Sequence, residues 1–130
     1  MASFEQIIQD FADHLEWGIE WNGDAASVDF EFESGEVRPL FITNNGATVE
    51  FDVFSKYCFE SEADIDHTIS TQLLMRNAKL TVGAWVLEKL EDGWHLSVMY
   101  NEDLDTLEQM DYDELETNLN IILNEARSLT

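Results

Sequence analysis

Residues 81–100 read TVGAWVLEKLEDGWHLSVMY, and the reading of this stretch decides the fold. In its first half Val82, Ala84 and Val86 share one face, while Trp85 and Leu87 share the other. A period of two belongs to an extended strand, whose successive side chains point to opposite faces. Glu91-Asp92-Gly93 then turns the chain, and WHLSVMY returns as the second strand of a hairpin. A strand apolar on both faces must be covered on both. Helices cover one face; a second subunit is an economical cover for the other, although a loop would also serve.

Toward the N-terminus, Asp64 is placed to cap a helix running to about Asn77, with Ile65, Ile69 and Leu73 on one line and Leu74 beside them. Residues 55–63 read as a connection. Before them lie three strands. Val28, Phe30 and Phe32 alternate with Ser27, Asp29, Glu31 and Glu33, and Ser34-Gly35-Glu36 turns the chain. Residues 37–43 form the second strand, where Pro39 marks an edge or a bulge because it has no amide donor. Asn45-Gly46 is a hairpin signal, since both residues tolerate positive φ. Residues 47–54 form the third strand, with Val49, Phe51 and Val53 opposed to Thr48, Glu50 and Asp52 on a wet face. The chain opens on a helix over residues 3–17. Ser3 and Gln6 suit a capping box, Phe4, Ile7, Ile8, Phe11 and Leu15 form one stripe, and Gly18 is the stop.

Toward the C-terminus, residues 101–126 read NEDLDTLEQMDYDELETNLNIILNEA. A calcium loop needs Gly at its sixth position and Glu at its twelfth. Counting from Asn101 puts Thr106 and Tyr112 there; counting from Asp111 puts Glu116 and Ile122. Neither register works. A helix entrance explains the acids instead. Asp111 is the N-cap, Glu114 completes a capping box, and Met110 and Leu115 form a hydrophobic staple. Leu115, Leu119, Ile122, Ala126 and Leu129 then share a face, widened by Leu123. The element order is α-β-β-β-α-β-β-α: an α+β domain, with helices packed on one face of an antiparallel sheet.

The 130 residues suit a single domain spanning 1–130. Asp and Glu number 28 against six Lys and Arg, for a formal charge of −22. That field repels nucleic-acid phosphates and anionic lipid. It suits a plain solvated surface, an acidic module for basic segments of another protein, or a DNA mimic. No apolar run reaches the roughly 20 residues of a membrane span. MASFEQ lacks the pattern of a signal peptide, so the expected location is cytoplasmic.

Chemistry-bearing motifs are sparse. His14, His67 and His95 show neither the i, i+4 pairing nor the His-x-Glu setting of a zinc site. Asp64, Asp66 and His67 read as a solvated helix start. Cys58, between Tyr57 and Phe59, reads as a small buried hydrophobe rather than the nucleophile of a Cys–His pair. There is no Gly-x-Ser-x-Gly elbow and no phosphate-binding glycine loop. No catalytic residue, metal ligand or cofactor site is assigned, and the expected class is not an enzyme. Trp85, Trp94, Met75 and Met99 read as core, or in part as a subunit-facing patch.

The second half, LLMRNAKLTVGAWVLEKLEDGWHLSVMYNEDLDTLEQMDYDELETNLNIILNEA, resembles the C-terminal half of YbjN-type domains. These share a fold with the class I type III secretion chaperones, such as the Tir chaperone. The matching positions are Leu74 and Asn77, Gly83-Ala84-Trp85 with Leu87, Gly93 with Leu96, Leu104 and Leu107, and Leu115, Leu119, Leu123 and Ala126. The resemblance carries no catalytic residues. It implies a homodimer whose interface involves the second helix and the strand after it. Leu73, Met75, Trp85, Leu87 and Met99 are the expected partner-facing or subunit-facing residues. The function expected is a non-enzymatic, chaperone- or regulator-like module that holds a segment of another protein, with basic segments favoured. The alternative is an acidic cation-responsive or DNA-mimicking regulator whose charge is itself the functional feature.

Overall fold

The computed structural model describes residues 2–128. Its first helix, α1 (Phe4–His14), starts on the expected capping box: Gln6 N donates to Ser3 Oγ (3.2 Å), and Ser3 N donates to Gln6 Oε1 (2.9 Å). Phe4, Ile7, Ile8 and Phe11 are buried beneath it. The helix ends before Trp17. Glu16 takes φ 59°, and Trp17 N donates back to Ala12 O at 2.8 Å. This is the 6→1 closure usually built on glycine, here built on glutamate two residues ahead of Gly18.

Six strands follow: β1 (Ile19–Asn22), β2 (Ala25–Glu31), β3 (Val37–Asn44), β4 (Thr48–Phe59), β5 (Ala84–Leu90) and β6 (Gly93–Asp103). They form one antiparallel sheet in the order β1-β2-β3-β4-β6-β5. Helix α2 (His67–Asn77) bridges β4 and β5, while α3 (Leu104–Gln109) and α4 (Tyr112–Ser128) follow β6. The α+β class and the element order hold, with β1 and α3 as additional pieces. Asp66, not Asp64, caps α2 by accepting from Ile69 N at 2.8 Å. Asp64 instead closes a 3₁₀ turn (Glu62–Asp64).

One face of the sheet carries the core. Leu40, Ile42, Val49, Phe51, Val53 and Val98 point from the strands onto Ile8, Phe11, Leu115, Leu119 and Ile122 of α1 and α4. Asp111 precedes α4, and its carbonyl accepts from Glu114 and Leu115. The buried stripe continues through Leu123 and Ala126; Leu129 lies outside the described residues. Gly83 lets α4 come close to the sheet. It holds φ +76°, and a Cβ there would lie 2.8 Å from Met99 O and 2.9 Å from Ile122 Cγ2.

Pro39 sits one residue before the β3–β4 ladder begins at Leu40. The Phe54 carbonyl is served by a side chain instead, accepting from Arg38 Nη1 at 2.9 Å. Arg38 and Arg127 share the Glu36 carboxylate, at 3.1 and 3.0 Å, and the Arg127 guanidinium covers the Phe32 ring at 3.9 Å. These contacts tie the end of α4 to the turn between β2 and β3. Among the described residues no helix is long and apolar enough to cross a membrane.

Candidate functional site

Helix α2 is attached to the rest of the fold largely by polar contacts. The Asn77 side chain copies a neighbouring strand: its Oδ1 accepts from Trp85 N (2.6 Å) and its Nδ2 donates to Trp85 O (3.2 Å). Trp85 lies on β5, an edge strand with β6 as its sheet neighbour, so the amide serves backbone groups that the sheet leaves free. Arg76 Nη2 donates to Ser128 Oγ at 2.6 Å, and Arg76 Nε lies 3.1 Å from Glu125 Oε2 in a pair too bent to count as a hydrogen bond. Ile69 and Leu73 lean on the core, yet no residue of α2 is fully buried. Leu74 is 72% exposed and Met75 62%; Leu87, on the strand beneath, is 40% exposed. Residues 67–87 also carry no Asp or Glu, the longest such run in the chain.

The five residues read as an interface do not share one surface. Met75 is exposed on α2 and Leu73 is half-buried against the core, while Leu87 shares the Trp85 face of β5 but lies nearer the hairpin end of the strand, where it is partly exposed. Trp85 must be corrected: it is 5% exposed, on the helix-covered face of β5, with its indole N–H on Glu125 Oε2 at 2.6 Å. Period-two spacing separates the faces of a strand without saying which is inward, and α4 covers the one that holds Trp85. Met99 is half-buried on the opposite, open face. Leu74, absent from the expected set, is the most exposed large apolar side chain described. The acid-free run around it is the feature of the sequence that could have marked it.

The open face of the sheet carries a second group. Phe41 and Thr43 from β3, Glu50, Asp52 and Phe54 from β4, and Glu88, Lys89 and Leu90 from β5 line a shallow depression of about 560 Å³. β6 runs between β4 and β5, so Asp52 and Glu88 approach each other over Ser97. Carboxylate oxygens of Glu50, Asp52 and Glu88 lie within 4.8 Å of one another. Asp52, expected on a wet face, is only 5% exposed, and its Oδ1 has no hydrogen-bond partner. Burial first, and the facing Glu88 carboxylate second, push its pKa up to about 8. At neutral pH the pair therefore holds a proton, and a cationic group placed over the depression would compete for that position.

The histidines separate. His14 stacks on Tyr112 with ring centroids 3.8 Å apart, and His67 opens α2. His95 lies beside Cys58 and Asp92. Cys58 is exposed, which corrects its reading as a buried hydrophobe. It faces the open side near the sheet end, where no helix covers it. The hydrogen bond to His95 holds the Asp92 carboxyl below the usual range.

No family model matches the chain, and no curated protein matches it. Solved structures do. The HopA1-SchA chaperone–effector complex contains a chain with TM-score 0.62 and 10% identity, the match covering 95% of this chain and 89% of that one. YbjN from E. coli, described as a candidate transcription regulator, gives TM-score 0.59 and 15% identity over 90% of this chain and 86% of its own. At such identities the likeness is one of fold. The chain has the chaperone-like α+β fold that the hydrophobic spacing of its second half resembled.

Proposed function

We propose that this chain is a non-enzymatic, homodimeric protein-binding module of the cytoplasm, chaperone-like in action. It holds an apolar segment of a partner protein whose flanking residues are basic. The observation that carries the reading is the state of α2: a helix with no buried residue, Leu74 and Met75 turned outward, and no acid along it. Two subunits of charge −22 repel across most of their surfaces. Residues 67–87 of the α2–β5 surface carry Arg76 and Lys79 and no acid, so that repulsion is smallest there. A two-fold axis would set this patch against itself, covering Leu74, Met75 and Leu87 in both copies. The presence of a chaperone–effector complex among the structural matches supports a partner segment as cargo. The open-face depression supports the partner's chemistry, because Phe41, Phe54 and Leu90 line it together with three carboxylates against a single cation, Lys89.

Light scattering after size exclusion tests the dimer. The chain should run as a dimer at tens of micromolar, and added salt should tighten it by screening the like charges. Leu74→Asp should give a folded monomer. Trp85, inside the subunit, is the wrong position for that test. A monomeric parent at those concentrations would sink the reading.

A further inference from the structure

We propose that Cys58, Asp92 and His95 form a three-ligand site for a borderline-soft divalent metal of the zinc class, with a fourth position open to solvent or to a partner side chain. His95 Nε2 lies 3.4 Å from Cys58 Sγ and 2.8 Å from Asp92 Oδ1. All three ligand atoms fall within 4.8 Å of one another. A ring nitrogen carries one hydrogen or one lone pair, so it satisfies only one of two facing partners. In a thiol–imidazole–carboxylate relay the acid would hold the other ring nitrogen, Nδ1. Here both partners face Nε2, as ligands of a common centre do. Tetrahedral zinc, with Zn–S about 2.3 Å and Zn–N about 2.0 Å, places sulfur and nitrogen about 3.5 Å apart. The observed 3.4 Å is close to that spacing. The 2.8 Å between Nε2 and the Asp92 oxygen is shorter than the about 3.3 Å of a zinc-bound pair, so the exposed Asp92 carboxylate must swing back slightly to ligate.

Backbone features assemble the trio. The β4–β6 ladder pairs Phe54 with Ser97, and unbroken continuation would set Cys58 opposite Gly93. A β-bulge between Phe54 and Cys58 shifts the register, so that Cys58 pairs with His95. Ser55 stabilises the bulge, since its Oγ donates to Leu96 O (2.8 Å) and accepts from Tyr57 N (3.1 Å). Gly93 admits the end of β4: a Cβ there would lie 2.5 Å from Phe59 O and 3.4 Å from Cys58 Sγ. The β5–β6 turn supplies Asp92, and Phe54 meets the His95 ring edge-on with centroids 5.5 Å apart. The imidazole and thiolate decide the metal class. They favour zinc-like ions over the calcium and magnesium that the surrounding carboxylates attract.

Cobalt(II) is the probe, added to reduced, chelator-treated protein. One equivalent per chain should bind with a thiolate-to-cobalt charge-transfer band in the near ultraviolet, and zinc should displace it. Cys58→Ser should lose the band, and Asp92→Asn and His95→Gln should each weaken zinc binding at least about tenfold, with circular dichroism confirming that each variant folds. The exposed setting of Cys58 makes the serine variant structurally mild. Absence of the band overturns the proposal. So does zinc affinity in Cys58→Ser within about twofold of the parent, which would place the metal on surface carboxylates.

Discussion

Replacing Asn77 by alanine removes the clamp that joins α2 to the edge of the sheet. Two hydrogen bonds disappear, the 2.6 Å bond from Trp85 N and the 3.2 Å bond to Trp85 O. Each such bond contributes about 1 kcal/mol net, and the released backbone groups are only partly rehydrated because the tryptophan beside them is buried. The expected loss is about 2 kcal/mol, or roughly 6–10 °C in Tm for a domain of this size. Urea unfolding at fixed protein concentration measures the first number and calorimetry the second. Hydrogen exchange adds the local readout: the Trp85 amide should lose protection while amides of β4 keep theirs. Asn77→Asp is the informative companion, because it keeps an acceptor for Trp85 N but sets a second acceptor against Trp85 O. It should cost at least as much as alanine at neutral pH and recover in acid, where a protonated aspartic acid donates again. A loss under about 0.5 kcal/mol, or one that leaves Trp85 exchange unchanged, would refute the clamp.

Asp52 predicts a pH dependence. Its native pKa of about 8 lies above the ordinary carboxyl range, so between about pH 4 and pH 8 the folded chain holds a proton that the unfolded chain has released. Stability contributed by this group therefore falls as pH rises through that window. Asp52→Asn should be more stable than the parent by on the order of 1–2 kcal/mol at pH 9 and nearly equal to it at pH 4; parallel urea midpoints across pH would contradict this. Gly83→Ala combines a left-handed backbone with contacts under 3 Å to Met99 and Ile122, and should lose about 2–4 kcal/mol by chemical denaturation. Glu16→Gly relieves a positive φ at an exposed helix end and should gain about 0.5–1 kcal/mol; a loss would mean that the glutamate makes a contact worth more than its strain.

What could be read from the sequence was local. The Ser3–Gln6 box, the Asn45-Gly46 and Asp92-Gly93 turns and the alternation of Val49, Phe51 and Val53 each depend on residues a few positions apart, and each appears where expected. Strand β1 escaped because four residues offer barely two periods, and its existence rests on pairing with β2. The second half of β4 escaped because Ser55 and Lys56 look like a loop. Their extended course is imposed by β6 and by the Ser55 bond to Leu96. The candidate sites were less legible still. Asp52 is acidic at a solvent-facing register, yet it is buried and faces the Glu88 carboxylate across β6. Cys58 meets His95 only after a bulge that no periodicity announces.

The scarce cations are divided by chemical type. Every arginine closes an internal gap: Arg38 and Arg127 on Glu36, and Arg76 between Glu125 and Ser128. Lys56 and Lys89 instead rest over the rings of Tyr57 and Trp94, 5.5 and 5.7 Å away, in arrangements a displaced ammonium leaves intact. Amine-directed reagents should therefore decorate this protein without loosening it, which makes lysine the residue for fluorophores and surface tethering. Arginine-directed dicarbonyls should unfasten the C-terminal end of α4 from the β2–β3 turn and from α2, and their reactivity would serve as a chemical gauge of how firmly the molecule is shut.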